Sequence, residues 1–251
     1  METQYFKDYS PALGREMESK LYGYAGRPVL FLPSQDGRFF DFADLGMAAA
    51  LSRWIDAGEM MVLSIDTLDR ETWSDAKGDP YWRIRRYEQW VRYVLEEAGP
   101  KLRHLACEYN DWDGQPGILP FGCGLGACHA VNLYLRYPQV FDGCLALSGV
   151  YTARYGFGEY MDPVVYQNSP LDYMSHFPGD HPYMELYRKK RAVLCCGQGA
   201  GEQPDSTRRL GQLLQRLNIP VWADLWGADV SCGWTWWHKQ AAYFIPCLLG
   251  A

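Results

Sequence analysis

The run Gly117-Ile-Leu-Pro-Phe-Gly-Cys-Gly-Leu-Gly-Ala-Cys-His-Ala130 constrains this chain more than any other stretch. A short apolar segment, Ile118 to Phe121, meets the glycine cluster Gly122-Cys-Gly-Leu-Gly126. An amphipathic segment follows, with Ala130, Val131, Leu133, Tyr134 and Leu135. That order specifies a strand, a very tight turn and a helix, because glycine adopts the backbone angles and close approaches that so abrupt a reversal demands. A dinucleotide-binding turn would need a later glycine and an acid about twenty residues on. Ala130 stands where that glycine would be sought, so the turn is not read that way.

On both sides of this turn, apolar runs alternate with helical periodicities. Residues 28–33 and 60–65 are continuous apolar runs of the kind buried strands require, and 141–148, 192–196 and 219–226 are read in the same way. Between them lie an amphipathic segment over 42–54 and a predicted helix over 81–98. In that helix Ile84, Tyr87, Val91, Val94, Leu95 and Ala98 share one face, and Gly99-Pro100 is expected to break it. Further helices are predicted over 206–217 and 234–249. The partial alternation of 16–22, with the turn Gly23-Tyr-Ala-Gly26, predicts an antiparallel edge leading into the sheet. Residues 66–79 read as loop, and 150–190 as an irregular excursion of the kind that covers the mouth of a site. The expected class is therefore α/β, a mostly parallel central sheet with helices on both faces. A length of 251 residues fits one domain, 1–251, with a large core.

Charge narrows the function. The 24 Lys+Arg and 30 Asp+Glu give a net charge of −6, which argues against a nucleic-acid surface. The cluster Arg188-Lys-Lys-Arg191 is too short to alter that and reads as a solvated helix end. No apolar run approaches the length of a membrane span. The opening residues lack a basic region followed by an apolar one, so a cytoplasmic location is expected. Cysteines at 107, 123, 128, 144, 195, 196, 232 and 247 form no Cys-x-x-Cys pair. They read as reduced thiols rather than a disulfide scaffold or zinc site; no metal and no cofactor are expected.

Four stretches in order carry a resemblance: Phe31-Leu-Pro-Ser-Gln-Asp-Gly-Arg-Phe-Phe40, Gly122-Cys-Gly-Leu-Gly-Ala-Cys-His-Ala130, Phe141-Asp-Gly-Cys-Leu-Ala-Leu-Ser-Gly149 and Trp226-Gly-Ala-Asp-Val-Ser-Cys-Gly-Trp-Thr-Trp-Trp237. Together they resemble the esterase D branch of the α/β-hydrolases, with the S-formylglutathione hydrolases, feruloyl-esterase-like enzymes and mycolyltransferases. The resemblance implies an α/β-hydrolase fold. It makes Gly122–Gly126 a nucleophile elbow, a strand-to-helix turn that normally carries serine at its apex. Here the apex is Gly124, and Cys232 stands where the family carries its catalytic histidine. The triad acid is expected at Glu202, with Asp205 as the alternative, and the oxyanion-hole or ligand-binding positions at Gln35 and Leu125. The resemblance thus implies an esterase-like homologue without serine nucleophile or histidine base, retaining a site for a small ester-like or sugar-like ligand. The alternatives are a carboxylic-ester hydrolase working through unorthodox residues, and a structural or partner-binding subunit.

Other residues offer little rescue. Cys123 and Cys128 read as buried structural thiols, and Cys232, with no evident base beside it, would keep an ordinary pKa near ~8.5. Of the five histidines, His104 precedes the elbow without a motif and His129 lies on the elbow helix as a core residue. His238 is expected to face outward, and His176 and His181 belong to the excursion, where one is a candidate to fold over the site and surface-loop residues are the competing reading. Trp226, Trp234, Trp236 and Trp237 are candidates for a carbohydrate- or aryl-binding cleft, with helix–sheet packing the competing role.

Overall fold

The continuous apolar runs all become strands of one eight-stranded sheet in the computed structural model, which describes residues 1–250. The chain opens with strands β1 (Thr3–Ser10), β2 (Arg15–Tyr22) and β3 (Arg27–Leu32). Three short helices follow, α1 (Asp41–Asp44), α2 (Met47–Ala50) and α3 (Ser52–Asp56), and lead to β4 (Met60–Ile65). After a loop come α4 (Pro80–Tyr93), a π-helical turn (Val94–Ala98) and α5 (Gly99–Asn110), then β5 (Leu119–Cys123), α6 (Leu125–Arg136) and β6 (Cys144–Leu147). The stretch beyond β6 holds α7 (Arg154–Phe157), α8 (Pro163–Tyr166), α9 (Pro170–Ser175) and α10 (Tyr183–Tyr187). The chain then forms β7 (Ala192–Cys196), α11 (Pro204–Arg216), β8 (Val221–Leu225) and α12 (Trp234–Leu249).

Strand order is β1-β2-β4-β3-β5-β6-β7-β8, antiparallel across β1, β2 and β4 and parallel from there on. Every residue of β4, β5, β6 and β7 is buried, as strands covered on both faces should be. One face packs on α4 to α6 and on the helices of the excursion; its core includes Trp90, Val131, Tyr134 and Tyr187. The other packs under α1 to α3 and α12 through Phe31, Phe42, Phe121 and Phe244. Chain order reverses between β3 and β5, which opens the crevice at the carboxyl ends of the strands where open α/β sheets bind ligands.

Three expectations needed correction. Gly99-Pro100 does not end the helix: the π turn shifts the register, and Pro100 falls in the first turn of α5, where its missing N–H costs nothing. The excursion at 150–190 is not irregular but carries four short helices, two of which begin at Pro163 and Pro170, where proline suits the first helical position. β1 was not expected at all; its pattern is almost wholly exposed, so no apolar periodicity announces it. No helix among the described residues is long and apolar enough to cross a membrane.

Candidate active site

The turn after β5 is the elbow, and each glycine in it answers a different physical demand. A β-carbon at Gly122 would overlap the Gly126 carbonyl, and one at Gly126 would overlap the Leu32 carbonyl. These two positions are small because β5, α6 and β3 touch through their backbones. Gly124 differs. Its φ of 58° and ψ of −121° lie where a side chain strains the backbone, and its N–H donates to the Leu147 carbonyl at 2.8 Å. Yet a β-carbon there would meet nothing closer than Ser34 Cβ and the indole edge of Trp237, all at 3.8 Å. The apex has room for a side chain and lacks one.

Loops from four strand ends converge on this apex. Ser34 arrives from β3, Ser148 from β6, Glu202 from β7, and Cys232 from the segment between β8 and α12. Ser148 is buried at a φ of 57°. Its hydroxyl donates to Glu202 Oε1 at 2.8 Å and accepts from Trp237 Nε1 at 2.9 Å. The other Glu202 oxygen accepts from the Cys196 thiol at 3.1 Å. Backbone bonds clamp the β7 and β8 loops together: Gly199 N–H donates to the Val230 carbonyl at 2.8 Å and Cys232 N–H to the Ala200 carbonyl at 3.0 Å.

The electrostatics follow from this packing. Burial and the Glu202 carboxylate push the Cys196 thiol up to about 12. Cys232 is exposed as a residue, but desolvation of its thiol and the negative charge of Glu202 raise it to about 11, against a smaller opposing pull from the Ser148 hydroxyl. At neutral pH it is a protonated thiol. It has neither the basicity to take a proton from a hydroxyl nor the ionisation to act as a nucleophile.

The structure therefore gathers Gly124, Glu202 and Cys232 at one end of the sheet. Asp205, the alternative acid, is elsewhere: it is 86% exposed in the first turn of α11 and pairs with Arg208. The Gln35 side chain is held elsewhere, accepting from Tyr155 at 2.8 Å and donating to Ser74 Oγ at 2.9 Å, so Ser34, not Gln35, is the residue of this loop beside the apex. Leu125 opens α6, and an N–H in a first turn has no intrahelical acceptor. Beside the loop lies a cleft of about 360 Å³ lined by charged groups, among them Glu18, Asp66 and Arg38. Arg38 bonds to Glu18 at 2.7 Å and to Asp66 at 2.8 Å.

Two residues of the site escaped sequence reasoning as individuals. Ser148 ends a strand without a motif of its own, and Trp237 is one of four tryptophans on a single segment. Trp237 is the one that matters: 5% exposed, it covers Gly124, while Trp234 packs edge-on against it at 5.2 Å. Trp226 packs with Tyr243, Phe244 and Trp236 along α12. The histidines stay apart. His129 is fully buried between Tyr87 Oη and Asp69, each at 2.9 Å. His238, expected to face outward, binds the Leu45 carbonyl at 2.8 Å. His176 lies against Tyr166 and Ser175, and His181 against Phe177 and Tyr183.

No family model and no curated protein matches this chain. Solved structures do. A ferulic acid esterase superposes with a TM-score of 0.71 at 16% identity, over 99% of this chain and 97% of its own. An S-formylglutathione hydrolase from Agrobacterium tumefaciens gives 0.71 at 14% identity, over 99% and 94%. The fluorophosphonate-binding serine hydrolase F of Staphylococcus aureus gives 0.68 at 12% identity, over 99% and 98%. Identities this low show the fold alone, which is the α/β-hydrolase fold.

Proposed function

We propose that this chain, an α/β-hydrolase by fold, is an esterase homologue that no longer hydrolyses esters and acts by binding. The observation that carries this reading is the apex: Gly124 keeps the angles of an elbow and has no nucleophile. The groups around it agree. Acyl transfer needs an activated oxygen or sulfur, a base within hydrogen-bond reach and an oxyanion hole. Cys232, at the base position, is a thiol raised to about 11. Glu202, at the acid position, has its two oxygens engaged by Ser148 and Cys196. The Trp237 indole edge lies 3.8 Å from where a β-carbon at Gly124 would stand, beside the apex.

The ligand class to try first comes from the names of the structural neighbours, a ferulic acid esterase and an S-formylglutathione hydrolase: a small acyl ester or thioester. A sugar-like ligand is the other class the frame suggests. Trp237 also favours a second reading, a subunit that keeps the frame for assembly with a partner.

Labelling with a fluorophosphonate and hydrolysis of short aryl esters test the proposal. The expected result is no acylated residue and no saturable turnover. Because binding and an oxyanion hole alone leave roughly 10³–10⁴-fold over water when triad members are missing, the assay must resolve rates that small. Saturable hydrolysis that survives repeated purification and disappears in Ser148→Ala or Cys232→Ala would overturn the proposal. Quenching of tryptophan fluorescence by methyl ferulate separates the two readings, since a saturating signal supports ligand binding and its absence supports assembly.

A further inference from the structure

At the far end of the sheet, where the parallel strands begin, five cations surround one carboxylate. Arg27 opens β3, Asp142 precedes β6, and Arg188, Lys189, Lys190 and Arg191 carry α10 into β7. They line a cleft of about 250 Å³, closed on its apolar side by Pro220 and Leu248. Nothing in the net charge of −6 prepares for such a concentration of positive charge.

The cations are only partly compensated. Asp142 is shared by Arg27 at 3.5 Å and Lys190 at 3.7 Å, both long for a charge-assisted hydrogen bond. The Arg27 and Lys190 side chains are just 15% and 13% exposed. Burial lowers the pKa of both, and nearby Arg103 disfavours the charge on Lys190 further. Much of their donor capacity goes to carbonyls: Arg27 to Leu248 and Asp142, Lys190 to Pro138 and Phe141, Arg191 to Cys247. These bonds secure the C-terminus of α12 and the turn before β6, and they satisfy N–H groups without cancelling net charge. Arg188 and Lys189 are exposed at the rim and make no side-chain hydrogen bond or ion pair among the described residues.

We propose that this cleft binds a small phosphate-type dianion. A tetrahedral oxyanion of two charges can engage several cations at once, and a guanidinium fork matches its oxygens. The volume is below the ~300–1,000 Å³ of sites for drug-sized ligands, which favours a free phosphate or the phosphate end of a larger molecule. This proposal is independent of the elbow, which lies at the opposite end of the strands.

Calorimetric titration of the whole protein with inorganic phosphate and phenyl phosphate at low salt tests it. Saturable binding is expected, weakening as ionic strength rises because the rim charges are screened. Arg188→Gln/Lys189→Gln should weaken it at least about tenfold, or about 1.4 kcal/mol, with little change in the unfolding midpoint measured without phosphate. Flotation with phosphatidic acid vesicles, with phosphatidylcholine vesicles as control, identifies the source of the phosphate. Capture by phosphatidic acid vesicles, relieved by inorganic phosphate, would mean a lipid headgroup; soluble binding alone would mean a free phosphomonoester. Dissociation constants weaker than about 10 mM for both soluble ligands, or unchanged affinity in the double variant, would overturn the proposal.

Discussion

Gly124→Ala isolates the cost of the elbow's backbone angles. At φ 58° and ψ −121° a residue with a β-carbon is strained by roughly 1–3 kcal/mol. No steric term is added, because the new carbon finds its nearest neighbours at 3.8 Å, an ordinary van der Waals distance. Alanine also restricts the unfolded chain, which returns about 0.4–1 kcal/mol. From the middle of each range the net loss should be about 1.3 kcal/mol, and with a urea slope near ~3 kcal/mol/M the midpoint should fall by about 0.4 M. Urea titrations followed by tryptophan fluorescence and far-UV circular dichroism measure this, with coincident transitions as the check on two-state behaviour. Two other glycines frame the result. Gly179→Ala, where a β-carbon meets nothing within 4 Å and no left-handed angle is involved, should stay within about 0.5 kcal/mol of wild type. Gly126→Ala drives a β-carbon into the Leu32 carbonyl and should cost more than Gly124→Ala. A Gly124→Ala midpoint equal to or above that of wild type would refute the reasoning that the turn is a strained elbow.

The other predictions concern the groups around the apex. Trp237→Ala should cost about 3–5 kcal/mol as a buried cavity, whereas Trp237→Phe, which keeps a ring but removes the N–H donor to Ser148, should cost about 1–3 kcal/mol; a Trp237→Phe midpoint equal to that of wild type in urea titrations would mean the hydrogen bond is immaterial. Iodoacetamide should alkylate Cys232 with an inflection near pH 11, because the raised thiol pKa keeps the thiolate scarce below it. Glu202→Gln removes a charge that opposes the thiolate and should move that inflection down; an ordinary inflection in the wild type would contradict the geometry. Asp69→Ala leaves the buried His129 Nε2 without its hydrogen-bond partner and should cost roughly 1–3 kcal/mol; a stability within error of wild type would show that the pair holds nothing.

Much of the frame was legible because its signals are local. The runs 60–65 and 192–196 became β4 and β7 with the expected bounds, and Trp234–Leu249 became α12, since each is a burial pattern contained within one element. Gly122 and Gly126 announced a close approach because only glycine tolerates the neighbouring carbonyls. Gly99-Pro100 misled for the opposite reason: proline breaks a helix interior but suits a first turn, and the π turn that put it there depends on packing. The roles of Ser148 and Trp237 were not legible, because their bond joins positions 89 residues apart and exists only once β6 and α12 are in place. The basic run at 188–191 was expected to be a solvated helix end. Three of the four fit that, Arg188, Lys189 and Arg191 being exposed, but Lys190 turns inward toward Asp142.

The central claim, that Gly124 and Cys232 occupy nucleophile and base positions, is tested most directly by restoring both. Gly124→Ser alone lacks a base to take its proton, and Cys232→His alone has nothing to activate. In the double variant an imidazole would stand beside Glu202, and fluorophosphonate labelling of the new serine should exceed that of either single variant by at least about tenfold. Glu202→Ala on that background should reduce it. If the folded double variant labels no faster than Gly124→Ser alone, even with Trp237→Ala added to clear the space over the apex, these two residues are not the vacated places of a triad.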